Sequence, residues 1–251
     1  MTRAVRDFYL GVQSGRYPEY SGVIKFGRND SIALNSTEDI WDGSGLYSFP
    51  TTALITSMSQ TVNQAALTDG TIEVQGLDAN WDFTTQEVDL DGANTTTAVT
   101  LPTPLIRVFR MKVLENVATD SPVRVHNVGE TVDYAIISPG NNQTLMAIYT
   151  VPNGKTAYVT HWYANLNPAT NQDPTSMNMR LWARDNQAGH ERQIKHVLGL
   201  DASGASHFSH SFRPYYKFTQ KTDIFIDGTT VGKAADISAG FDLILQDNSV
   251  I

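Results

Sequence analysis

Thr71-Ile72-Glu73-Val74-Gln75-Gly76-Leu77-Asp78-Ala79-Asn80-Trp81-Asp82-Phe83-Thr84-Thr85-Gln86-Glu87-Val88-Asp89-Leu90-Asp91-Gly92 is the stretch on which the fold class turns. Apolar and polar residues alternate over Thr71 to Leu77 and again over Thr84 to Leu90, the period of two that sets one face of a strand against a core. Between the runs, Asp78, Asn80 and Asp82 carry short polar side chains that bond their own backbone and favour a turn. The second run ends in Asp91-Gly92, a pair that supplies the positive φ of a tight turn. Two strands joined by a turn follow.

The same pattern extends in both directions. Strands are predicted near Ala53 to Gln60, Thr96 to Leu101, Leu105 to Val113, Ser121 to Val128, Thr131 to Ile137, Thr144 to Val151 and Thr156 to Asn165. More follow at Met177 to Arg184, Glu191 to Leu198, His207 to Phe212, Thr222 to Asp227 and Ile237 to Gln246. Short strands at this spacing predict an all-β protein, an antiparallel β-sandwich of jelly-roll type. Only Ala4 to Gly11 and Glu191 to Leu198 also suit short helices. Charged residues make up 18% of the 251 residues, below the usual quarter, which suits strands and turns.

Residues 1–50 show neither period for long and hold many glycines, so they are read as an extended N-terminal arm. A β-sheet region over 51–135 and a jelly-roll-like sandwich over 136–251 complete the division, with one continuous domain over 51–251 as the other reading. The arm is rich in aromatics, unlike an ordinary disordered tail. They either pack on the same chain or anchor the arm on a neighbour.

The net charge of −8 is unevenly placed. Residues 1–28 carry +3, whereas residues 29–106 hold 11 acidic side chains and no Lys or Arg. A nucleic-acid partner needs a basic stripe, which this layout lacks. The basic arm suits an acidic protein surface better. There is no Cys, so stability must come from packing, pairing or assembly. The start of the chain lacks an apolar signal core, and no run is long enough to cross a membrane as a helix, so a soluble product is expected.

Chemistry finds little purchase. Glu87, Asp89 and Asp91 alternate onto one solvated face, and the spacing of an EF-hand calcium loop is absent. The histidines lack metal-site spacing, and His207 and His210 would face opposite ways in a strand. No Gly-x-Ser-x-Gly nucleophile motif or phosphate-binding glycine loop occurs. No catalytic, cofactor or metal residues are assigned. The candidate partner-docking residues are instead Arg3, Arg6, Phe8, Tyr9, Arg16, Tyr17 and Tyr20 in the arm, and Arg213, Tyr215 and Tyr216 in Phe212-Arg213-Pro214-Tyr215-Tyr216-Lys217-Phe218. Tyr and Arg supply much of the binding energy at protein interfaces.

Five stretches also carry a family resemblance. Ile72 to Asp82 with Gln86 to Gly92, Pro104-Leu105-Ile106-Arg107-Val108-Phe109-Arg110, Asn142 to Tyr158, and Tyr215-Tyr216-Lys217-Phe218-Thr219-Gln220-Lys221-Thr222-Asp223-Ile224 resemble virion proteins of tailed phages, many of them marine. The resemblance spans roughly residues 27–230. It implies a virion component, assembled in the host cytoplasm, and no catalytic residue to carry over. Within that class the chain is expected to be a capsid cement or decoration protein, a homotrimer bound to the major capsid protein or other virion proteins. The alternatives are a neck, tail or fibre-base component, or a carbohydrate- or receptor-binding module whose tryptophans stack on sugars.

Overall fold

A computed structural model describes residues 7–168 and 176–250, so Arg3 and Arg6 lie outside the described residues. After helix α1 (Phe8–Gln13) come strands β1 (Tyr20–Ile32) and β2 (Thr37–Asp39). Seven strands follow: β3 (Ile55–Gln60), β4 (Thr71–Leu77), β5 (Phe83–Asp89), β6 (Val99–Leu105), β7 (Arg107–Val113), β8 (Val123–His126) and β9 (Asp133–Ile137). The last seven are β10 (Ile148–Thr150), β11 (Lys155–Pro168), β12 (Ser176–Asp185), β13 (Gln193–Leu200), β14 (His207–Phe218), β15 (Thr222–Val231) and β16 (Ala235–Asp247). The protein is nearly all β, as expected.

One sandwich is made from β1 and β10 to β16. Its first sheet runs β1-β16-β11-β14 and its second β10-β15-β12-β13, with β2 also pairing on β15. Counted from one to eight in chain order, these strands lie as 1-8-3-6 and 2-7-4-5, the two interlocked Greek keys of a jelly roll. Strands β3 to β9 form a second sandwich, with sheets β6-β3-β8-β9 and β5-β4-β7, inserted between the first and second strands of the jelly roll. The chain leaves at Ile40 and returns at Ala147, where the Ala147 amide donates to the Ile40 carbonyl at 2.9 Å. Trp41 and Met146 pair antiparallel just beyond.

Each sandwich has its own core, and the two cores exchange side chains. Trp162, Met179, Leu181, Ile226 and Phe241 fill the space between the jelly-roll sheets, joined by Leu77, Ile106 and Phe109 from the inserted module. Ile55, Met58, Ile72, Val74, Met111 and Val125 fill the inserted module, joined by Ile148 and Phe225 from the jelly roll. Full burial of such a side chain contributes roughly 1.5–3 kcal/mol, so every exchanged residue binds one module to the other.

Strand β1 lies inside the stretch expected as an extended arm. Its inward positions run Val23, Lys25, Gly27 and Asn29 before a bulge ahead of buried Ile32, so the period of two is carried by a single apolar residue, yet Lys25, Gly27 and Asn29 are all buried. Gly27 sits where the inserted chain departs and returns: a Cβ there would come within 2.4 Å of the Ala147 nitrogen and 2.5 Å of the Ile40 oxygen. Both are backbone atoms that cannot swing aside. Gly27→Ala is expected to cost about 1–3 kcal/mol through overpacking, read as a lower denaturant midpoint at unchanged slope.

Of the two segments that also suit a short helix, Ala4 to Gly11 begins outside the described residues, and within them Asp7 caps α1 and accepts from the Tyr9 and Leu10 amides. Glu191 to Leu198, the other helical option, forms most of β13. Strand β14, expected to stop at Phe212, continues to Phe218 across a cis Arg213–Pro214 peptide.

Candidate docking surface and module junction

Helix α1 lies near the outer face of the β1-β16-β11-β14 sheet. Gly11 and Val12 are buried, whereas Phe8, Tyr9 and Leu10 are 40%, 47% and 66% exposed. The Phe8 ring contacts Tyr17 and Tyr20, both at 5.5 Å between centroids. Arg16 stands exposed in the turn that follows the helix.

Strand β14 bulges opposite this helix. Its partners on β11 jump from Val159↔Tyr216 to His161↔Ser211, which leaves Phe212 to Tyr215 looped out against the single residue Thr160. Bulges of this kind re-aim side chains. Here the bulge exposes Arg213 and Tyr215, and the Tyr215 hydroxyl meets that of Tyr9. That hydrogen bond, with burial second, raises the Tyr9 phenol to about 12. The structure thus joins two stretches nominated separately, the arm and the 213–216 segment. Tyr216 does not share that surface: it packs between Phe212 and Phe218 in a row of rings against the jelly-roll core.

A second site was not foreseen. Arg107 on β7 donates to both oxygens of Asp223 on β15, at 2.8 Å from Nε and 3.0 Å from Nη2, and both side chains are almost fully buried. Asp223 also accepts from Thr150 Oγ1 at 2.6 Å, Arg184 Nη2 at 2.8 Å and Asn186 Nδ2 at 2.8 Å. Burial pushes the Asp223 carboxyl up, but the Arg107 charge and these donors outweigh it and leave the pKa below the ordinary value. The Arg107 guanidinium lies 4.8 Å from the Trp81 ring and 5.3 Å from the Phe49 ring, in cation–π contact.

Residues from 72–82, 104–110, 142–158 and 215–224 meet at this junction. Asn153 donates from its backbone to the Trp81 carbonyl at 2.8 Å and from its side chain to Asp82 at 3.0 Å. The Ile106 amide donates to Leu77, and the Lys221 amide to Val151. Turns that read separately as local punctuation are the interlocking faces of two modules. The one signal in the sequence was Arg107 itself, a charge inside Leu105-Ile106-Arg107-Val108-Phe109, where a strand core should be apolar.

A second tie crosses the far side of β7. Lys25 Nζ donates to the Phe109 carbonyl, and Arg110 Nη2 donates to the Ile24 carbonyl at 3.0 Å. Burial first, and then the Arg110 charge, holds the Lys25 pKa well below its usual value.

The remaining candidates have ordinary explanations. Asp78 and Asp91 use side-chain oxygens to close turns, bonding Asn80 and Asp82 in one case and Ala93 and Asn94 in the other. Glu87 and Asp89 are exposed. Among the described residues no group of three His, Asp or Glu could hold a metal ion. His207 is exposed and His210 half-buried, on opposite faces of β14. The tryptophans are engaged within the protein: Trp41 and Trp162 are buried, Trp81 lies over Arg107, and Trp182 lies beside Arg180 and Arg192.

No protein-family model and no curated protein matches the chain.

Proposed function

We propose that this chain is a structural protein of a tailed-phage virion that acts by binding other proteins, as a capsid cement or decoration protein clamping neighbouring subunits. The observation that carries the reading is the arm: Phe8, Tyr9 and Leu10 are exposed around the first turn of α1, and Arg16 is exposed in the turn that follows, on a body stiffened by the Arg107–Asp223 junction. Exposed apolar area of this kind marks interaction surfaces, and aromatic side chains lose little conformational freedom on docking. The partner is the major capsid protein or another virion protein, and the protein works as a homotrimer. A clamp that binds the assembled lattice in preference to free subunits stabilises the shell by mass action.

Removal of residues 1–19 tests this, since the cut falls before β1 and spares the jelly roll. The truncated protein is expected to keep its unfolding transition and to lose binding to its particle; unimpaired binding would reject the arm as the clamp. Copy number per particle separates cement from a neck, tail or fibre-base role. Lattice symmetry demands on the order of hundreds of copies for cement and about a dozen or fewer for a ring.

A further inference from the structure

A cleft of about 360 Å³ lies between α1, the β1 strand and the β14 bulge, within the ~300–1,000 Å³ range of small-molecule sites. Among the described residues that line it only two are formally charged, Arg213 on the bulge and Asp242 on β16. Neither side chain makes a hydrogen bond or ion pair with another described residue, whereas Arg28, Arg180 and Arg184 of the jelly roll are all ion-paired. Two neighbours that could have satisfied Asp242 are engaged elsewhere. His161, directly across from it in register, has its two ring nitrogens 3.2 Å from Ser211 Oγ and from Ser209 Oγ. Thr160 donates its hydroxyl to the Asp242 backbone carbonyl at 3.2 Å instead. Partial burial raises the Asp242 carboxyl above its ordinary value, with His161 opposing, as expected of a desolvated acid awaiting donors. The rim is formed by the rings of Tyr9 and Tyr215, 47% and 42% exposed and linked through their hydroxyls.

We propose that this cleft binds a neutral saccharide, with Asp242 accepting from its hydroxyls, Arg213 donating to them, and the Tyr9 and Tyr215 rings packing on a sugar face. The one carboxylate and one guanidinium among the described lining residues balance, so a singly charged ligand that pairs with one of them is opposed by the other. A ligand rich in groups that both donate and accept satisfies both side chains at once. Flat apolar ring faces match the aliphatic face of a pyranose. The inference does not rest on the virion reading: a sugar site on this sheet stands or falls whatever particle carries the protein.

The test is an NMR titration of the full chain with maltose, lactose, N-acetylglucosamine, glucuronate and, as a zwitterion of comparable size, glutamine. At least one neutral sugar is expected to give saturable shifts with a dissociation constant on the order of 1 mM. Asp242→Asn and Arg213→Gln are each expected to weaken it about tenfold, which corresponds to ~1.4 kcal/mol. Lys217→Ala, outside the cleft, should leave it unchanged, and equal denaturant midpoints would show that all three variants fold. No saturable shift with any sugar, shifts unaffected by both cleft variants, or binding of glutamine or glucuronate in preference to neutral sugars would each overturn the proposal.

Discussion

Asp223→Ala is expected to cost about 3–5 kcal/mol, the range for stripping one partner from a buried ion pair. The aspartate collects bonds from Arg107, Arg184, Thr150 and Asn186, and its loss strands the Arg107 guanidinium at 2% exposure between the modules. Arg107→Met should cost less, because Asp223 keeps Arg184, Asn186 and Thr150. Since the Asp223 pKa is depressed, its contribution is present above the unfolded carboxylate pKa and fades as pH falls through the lower folded value. Urea unfolding of both variants near neutral pH checks the ranking. A cost below ~1 kcal/mol for Asp223→Ala would mean that the two modules do not depend on this knot.

Asp39→Asn should have the opposite sign. Asp39 lies directly across from Asp227 in the β2–β15 pairing, is 2% exposed, and keeps one carboxyl oxygen without a partner. Burial raises its pKa to about 7, against the hydrogen bond from the Tyr47 amide, with the Asp227 charge adding to the rise. A raised folded pKa means that stability is fully present below the unfolded value and is lost as pH climbs through about 7. The whole penalty is on the order of 4 kcal/mol at 1.36 kcal/mol per pH unit. The asparagine variant should therefore be more stable than the parent near pH 8 and little different near pH 4, and its side-chain oxygen can still accept from Tyr47. Equal pH profiles for the two proteins would show that Asp39 ionises without cost.

The strands were legible wherever one face is apolar and the other polar. Thr71 to Leu77 is reproduced residue for residue as β4, because Ile72, Val74 and Leu77 point inward and Glu73 and Gln75 do not. Strand β1 was hidden because a buried lysine, glycine and asparagine occupy its core face, each for a tertiary reason that no local window contains. One such reason is the carbonyl of Phe109, 84 residues away, which Lys25 reaches. The jelly-roll order was out of reach for the same cause, since its first strand precedes an insertion of roughly a hundred residues.

The docking residues were chosen by type, as rings and cations in irregular segments, and Tyr9 and Tyr215 prove to touch across 206 positions. Composition nominated both but could not pair them. The Arg107–Asp223 junction spans 116 positions, and only the misplaced charge on β7 hinted at it. Asp242 gave no signal at all, being one acid among 26 until the fold left it without a donor among the described residues.

The jelly roll closes with β16 beside β1, Gln246 opposite Tyr20, and the Asp247 amide bonded to the Glu19 carbonyl at 2.9 Å. The two ends of the folded body thus emerge at one corner. A short tether could join them, and new ends could be opened in an exposed turn such as Gln187 to Gly189, with every sheet pairing retained. A passenger fused after residue 247 would sit next to the arm, so cargo and grip would share the same side of the molecule.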